Sequence, residues 1–150
     1  MTLDRIDPAL AARIVARDER DGDHWHPEYP FEDELVPLRM LAAAQNADPV
    51  FTLYAIRDDD GVAVGGFGFF GPPDASGAVE FGYGLIPSAR GRGLATAAVR
   101  EGLRIAAAHG AVRAVADTEE TNAASLAVLA RAGMTEIRRS NGMVYVARTL

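Results

Sequence analysis

Residues Glu80 to Leu103 read EFGYGLIPSARGRGLATAAVREGL, and the character of this stretch changes three times. Ala78 to Ile86 is apolar, aromatic and β-branched at alternate positions, which predicts a strand. Pro87 marks a turn, and the glycine-rich run Arg90-Gly91-Arg92-Gly93 opens a helix predicted over Gly93 to His109. In that helix Ala95, Ala98, Val99, Gly102, Leu103 and Ala106 share one face at i, i+3, i+4 spacing. A helix start carries unpaired N–H groups and partial positive charge, so it attracts anions. Gly91 and Gly93 let the backbone bend closely around a phosphate, and Arg90 and Arg92 add charged donors at the same place. No lysine follows the glycines, as a P-loop requires, and the three-glycine dinucleotide fingerprint is absent. The stretch therefore reads as a phosphate site at a strand–turn–helix junction, with the kind of phosphate left open.

Working outward, Thr2 to Ile6 is a weak strand, and Pro8 begins a helix reaching about Arg17. Residues 18–30 are polar and proline-marked, a loop. A second helix is expected from Phe31 or Glu32 to Gln45, interrupted near Pro37. Val50 to Arg57 and Val62 to Phe70 are strands joined at Asp60-Gly61. Beyond the first helix of the opening stretch come a strand at Ala111 to Thr118, a helix at Asn122 to Ala132, and two strands, Met134 to Ser140 and Met143 to Arg148. Asn141-Gly142 joins these last two as a tight hairpin. The order β-α-α-β-β-β-α-β-α-β-β implies an α/β (α+β) fold, a mixed sheet with helices on its faces, within one domain spanning residues 1–150.

Composition narrows the function. There are no cysteines, which excludes disulfides, thiolate nucleophiles and cysteine metal sites. The net charge of −6 disfavours nucleic acid and anionic membranes. No apolar run is long enough to span a bilayer and the N-terminus does not read as a secretory signal, so a cytoplasmic location is the expectation. All basic residues are arginine, which fits codon bias better than chemistry.

The segment ARGRGLA resembles the acyl-CoA-binding motif of the GCN5-related N-acetyltransferase (GNAT) family, with Arg90, Gly93 and Ala95 at its signature positions. TNAASLAVLARAGM resembles the family's second motif through Asn122, Ser125 and Gly133-Met134. The likeness extends over roughly residues 50–150, and its nearest branch is the one acting on ribosomal-protein N-termini. It implies a mostly antiparallel twisted sheet whose two central parallel strands, Ala78–Ile86 and Ala111–Thr118, splay apart around coenzyme A. Tyr83, Gly84 and Leu85 would pair with the pantetheine arm. The backbone of Gly91, Arg92, Gly93, Leu94, Ala95 and Thr96, with Arg90, would hold the pyrophosphate, and Asn122 would orient the cofactor or cap its helix. The implied partners are acetyl-CoA and a primary amine, with no metal, nucleic acid or membrane. The oligomer is left at monomer or homodimer.

An amine attacking a thioester needs a base, a donor polarising the carbonyl, and a proton for the thiolate. A strand N–H near Tyr83 is expected to polarise. Glu80 and Asp117 are the base candidates, each with a bland alternative: a solvated strand residue for Glu80, a turn or cap role for Asp117. Many family members protonate the thiolate with a tyrosine seven residues after the asparagine, where this chain has Leu129; the resemblance then points to Ser125, which equally suits a first-turn role. Loss of chemistry with retention of the cofactor grip, a binding module, is the alternative this departure raises. His24 and His26 lie on an extended loop and are not expected to converge on a metal. Trp25, Tyr29 and Phe31, with Glu28, Glu32, Asp33 and Glu34, are candidates for the acceptor wall, or else a solvated loop with tucked aromatics.

Overall fold

A computed structural model describes all of residues 1–150. Asp7 starts the first helix by accepting a hydrogen bond from the Leu10 amide at 2.7 Å, with Pro8 following where no N–H is needed. The elements are β1 (Thr2–Arg5), α1 (Pro8–Val15), α2 (Leu35–Ala42), β2 (Leu53–Arg57), β3 (Ala63–Phe69), β4 (Ala78–Leu85), α3 (Leu94–Ala108), β5 (Arg113–Glu119), α4 (Ala123–Arg131), β6 (Thr135–Ser140) and β7 (Met143–Thr149). This is the order expected from sequence.

Several boundaries shift by a few residues, and two of the shifts have clear local reasons. The break in the second helical segment precedes Pro37: Glu32–Glu34 form a 3₁₀ turn, and α2 starts at Leu35. Pro37 is then the third residue of the α-helix, where its missing N–H has no intrahelical partner to lose. The following strand starts at Leu53 because Asp48 accepts from the amides of Val50 (2.8 Å) and Phe51 (2.7 Å), holding them in a turn.

The seven strands form one sheet in the order β1-β2-β3-β4-β5-β7-β6. Every neighbouring pair is antiparallel except β4 and β5. Those two are parallel and pair only from Ala78–Arg113 to Glu80–Val115, after which β4 stays on β3 and β5 stays on β7. The sheet therefore forks beyond Glu80.

Neighbouring residues on a strand face opposite sides, so β3 separates the two layers. Phe67 turns toward α3, so close to Gly102 that a β-carbon there would fall within 2.2 Å of its ring. Gly66 turns the other way, toward Glu34 and the α2 side. Phe81 stacks on Phe67 at 5.4 Å, and Phe69, Tyr54 and Phe51 extend this aromatic layer edge to face. The layer anchors the half of the sheet that carries the fork.

Candidate active site

The junction after β4 has the geometry its glycines require. Gly91 and Gly93 both take left-handed φ angles, 79° and 77°, and Gly93 caps α3 with no side-chain hydrogen bond. The backbone N–H groups of six consecutive residues, Gly91 to Thr96, donate to no acceptor within the chain. A β-carbon on either glycine would meet nothing within 4 Å, so no other part of the chain packs against the turn at these two positions. Arg92 is exposed and unpaired beside them. Arg90 turns back instead: its Nε donates to the Leu85 carbonyl at 3.2 Å, and its guanidinium lies 5.4 Å from the Phe31 ring centre.

The fork supplies a second open edge. Phe70 donates to Glu80 and Ile86 to Val64, which fixes the even-numbered residues of β4 as those bonded to β3. Tyr83 and Leu85 thus aim their main-chain groups toward the side where β5 has departed, and only the Leu85 carbonyl is taken, by Arg90. Across this opening the Tyr83 hydroxyl meets Ser125 Oγ at 2.7 Å, joining β4 to the first turn of α4. Burial pushes the Tyr83 phenol up, and the Ser125 contact partly offsets that. Asn122 caps α4 by accepting from the Ser125 amide at 3.0 Å. Leu129, 1% exposed, is a core residue.

On the other face of the sheet lies a cavity of about 580 Å³, walled by α2, the Glu32–Glu34 turn and the glycines of β3 and β4. Gly66 pairs with Gly84 and Gly68 with Gly82, giving a two-by-two floor without side chains. Glu34 and Asp33 lie over its first row: a β-carbon on Gly66 would come within 2.8 Å of the Glu34 carboxyl, and one on Gly84 within 2.5 Å of Asp33 Oδ2. Glu34 is 9% exposed, its carboxyl takes part in no hydrogen bond, and Oε1 is sealed. Burial first, then the neighbouring Asp33 charge, raises its carboxyl to about 8. Burial also raises Asp33, while Arg90 pulls it back.

The residues singled out from sequence are distributed unevenly around these two openings. Tyr83, Leu85, Ser125 and its cap Asn122 border the fork, the Arg90–Thr96 segment follows the end of β4, and Gly84 pairs instead with Gly66 and floors the cavity. Glu80 stands at the fork's apex, the last paired position, and Asp117 faces Tyr145 across the β5–β7 pair; both are exposed and neither lines the cavity. Of the suggested acceptor wall, Asp33 and Glu34 line the cavity. Trp25 packs on Tyr29 and Arg13, Phe31 supports Arg90, and Glu28 accepts from Ser88 Oγ at 3.0 Å. His26 Nδ1 accepts from the Glu28 amide at 3.0 Å, a local turn contact. The special position of Glu34 within its acidic run was not apparent from sequence. The available signal was the alternate glycines of two neighbouring strands, which leave room for a side chain from elsewhere.

A model of the acetyltransferase (GNAT) domain matches residues 1–135. The chain belongs to the GNAT acetyltransferase family. No curated protein matches it in sequence. Among solved structures, the GNAT chain is similar over 99% of its length to a chimera of the spermidine N-acetyltransferase SpeG from Vibrio cholerae and hSSAT, at a TM-score of 0.69 and 16% identity, covering 96% of that chain. It is also similar to the ribosomal-protein-alanine N-acetyltransferase from Brucella melitensis, with a TM-score of 0.56, 20% identity, and 65% and 68% of the two chains covered. A Bacillus subtilis acetyltransferase solved in complex with CoA gives a TM-score of 0.56 at 16% identity, covering 65% of this chain and 76% of that one. At these identities the likeness is one of fold. No helix of this GNAT protein is long and apolar enough to cross a membrane.

Proposed function

We propose that this GNAT protein transfers an acetyl group from acetyl-CoA to a primary amine by direct attack on the thioester. The observation that carries the reading is the run of six unpaired amides from Gly91 to Thr96, continuous with the open main chain of Tyr83 and Leu85. A diphosphate satisfies the first set and an amide-bearing arm the second, and coenzyme A offers both along one extended molecule. In this reading Arg92 adds a charged donor to the pyrophosphate. Arg90 shapes the turn from behind, through Leu85 and Phe31. Asn122, with its side-chain oxygen committed to the cap, has its amide N–H₂ to offer the arm.

The main-chain N–H of Tyr83 then polarises the thioester carbonyl as negative charge develops on its oxygen. Ser125 gives its proton to the departing thiolate, and Tyr83 Oη, 2.7 Å away, replaces it. This hydroxyl pair performs what Leu129, buried in the core, has no group to do. In this reading Glu80, at the apex, and Asp117, on β5, are the strand carboxylates that pass to solvent the proton nitrogen loses after attack.

The test is release of free thiol from acetyl-CoA with a panel of amines and N-terminal peptides, run beside thermal stabilisation by acetyl-CoA, ATP and NAD. Stabilisation by acetyl-CoA alone, with turnover of at least one amine, is expected. Stabilisation without turnover across a broad panel would make the chain a binding module; no stabilisation by acetyl-CoA would overturn the reading.

A further inference from the structure

We infer that the acceptor is a primary amine carried on a compact apolar or aromatic body with a single cationic centre, and that Glu34 is the group that receives its ammonium. The inference rests on the acetyl transfer proposed above and concerns what enters the opposite mouth of the site.

Three observations on the cavity carry it. First, charge is confined to one end. Glu34 is nine-tenths buried and its carboxyl has no hydrogen-bond partner, a state that costs free energy unless a donor arrives. Asp33 beside it has the Arg90 guanidinium nearby, and Asp48, the remaining acid on the wall, is committed to the amides of Val50 and Phe51. A second cation further along the acceptor would find only Asp48, whose Oδ1 already serves two amides, and this favours an acceptor with a single cationic centre.

Second, the rest of the wall is apolar and partly open. Val36, Met40 and Phe70 are 63%, 70% and 65% exposed, three of the five large apolar side chains left in solvent, and all three rim this cavity. Large exposed apolar groups gathered at one opening mark a binding surface. Phe70 lies over Gly82 and Leu53 over Gly68, so the second row of the glycine floor is framed by apolar side chains.

Third, the floor offers surface and no hydrogen bonds. The main-chain groups of Gly66, Gly68, Gly82 and Gly84 are engaged in the β3–β4 ladder. A flat apolar body can lie on these bare α-carbons, whereas a peptide entering by its N-terminus would leave its own amides unpaired there.

The chemistry balances with Glu34 in this role. Its carboxylate takes one proton from the ammonium, freeing the nitrogen lone pair to attack the thioester carbon. The C–N bond forms and the C–S bond breaks; the second nitrogen proton passes to solvent, the thiolate gains one from Ser125, and Tyr83, having reprotonated Ser125, regains one from water. The products are the N-acetyl amide and free coenzyme A, with one proton released from Glu34 to water.

The experiment compares kcat/KM for phenethylamine and isoamylamine with that for spermidine and for an alanine-initiated peptide, using the intact protein. The apolar amines are expected to lead by at least tenfold. Met40→Glu, which puts a carboxylate on the exposed rim, is expected to narrow that ratio by raising spermidine turnover. Glu34→Gln is expected to lower kcat/KM for every amine while acetyl-CoA still stabilises the protein, and Glu34→Asp to recover part of the loss. Better turnover of spermidine or peptide than of the apolar amines would overturn the inference and leave acetyl transfer standing. Undiminished activity in Glu34→Gln would overturn the role given to Glu34. Failure of acetyl-CoA to bind the unmodified protein would instead count against the proposed function beneath it.

Discussion

The molecule uses glycine in two regions for opposite reasons. In the loop before α3, Gly91 and Gly93 take left-handed φ, and an added β-carbon would touch nothing; what matters there is backbone conformation, in a turn whose successive amides stay unpaired. In the floor formed by β3 and β4, Gly66, Gly68, Gly82 and Gly84 have no such φ, but an added β-carbon would collide with Glu34, Leu53, Phe70 or Asp33. There the missing side chain is the point, since it vacates room for acids and apolar groups brought from other elements. One set leaves a run of unpaired backbone amides, proposed above as the anion site, and the other makes a cavity from absent atoms. A substitution should therefore separate the two halves of the reaction.

The largest separation is expected from Gly93→Glu. Its carboxylate would project into the space before the amides, repelling a diphosphate, and acetyl-CoA affinity should fall by roughly a thousandfold, about 4 kcal/mol. The left-handed φ adds a strain of about 1 kcal/mol, too little to unfold a domain of ordinary stability. Calorimetric titration with coenzyme A checks it, and unchanged affinity would break the assignment of the loop. Gly66→Val should do the reverse. It displaces the Glu34 carboxyl and fills the floor, so amine kcat/KM should fall about 10- to 100-fold with cofactor affinity intact; equal losses of both would mean the two regions are not separate.

Glu34→Gln sharpens the comparison through pH. The carboxyl that titrates near 4.5 when unfolded is raised to about 8 when folded, by burial and by Asp33 on the same turn. The folded state thus holds a proton that the unfolded chain has lost, and the stability this gives is complete below about pH 4.5 and gone above about pH 8. The glutamine variant lacks this dependence. Its stability relative to the unmodified protein should grow across that window and level off above it, by a few kcal/mol in all. Denaturant unfolding of the ligand-free proteins at pH 5 and pH 9 measures it, and a constant difference would show that Glu34 is not buried as an orphan. In activity the sign is opposite: an acceptor of protons must be ionised, so the unmodified enzyme should gain kcat/KM through an inflection near pH 8 that Glu34→Gln loses.

The smallest effect belongs to the hydroxyl pair. Tyr83→Phe removes the partner of Ser125 Oγ and is expected to lower kcat about three- to tenfold, at about 1 kcal/mol in stability. A change confined to stability would leave Tyr83 as a structural link between β4 and α4.

Much of this architecture was legible in advance because its signals are local. The alternation of Ala78–Ile86, the helical stripe from Ala95 to Ala106 and the Asn141-Gly142 turn each encode their element within a few residues. Asn141 and Gly142 do take the left-handed φ angles that such a turn requires, 51° and 78°. The boundaries at Pro37 and Val50 moved because a 3₁₀ turn and the Asp48 cap outweighed the apolar pattern there. Glu34, by contrast, lay in an acidic run, Glu32-Asp33-Glu34, with nothing in the run itself to single it out. Its neighbours on the page of sequence are not its neighbours in space.

By itself the sequence determined the order of elements and the glycine turn with its unpaired amides, because both depend on residues adjacent in the chain and on conformations only certain residues adopt. Which acid is buried, which hydroxyls meet and where the cavity opens were decided by tertiary structure alone. Those properties depend on desolvation and on what occupies the space across the sheet, and Gly66 lies 32 residues from Glu34 along the chain. Only folding brings the vacancy to the carboxylate.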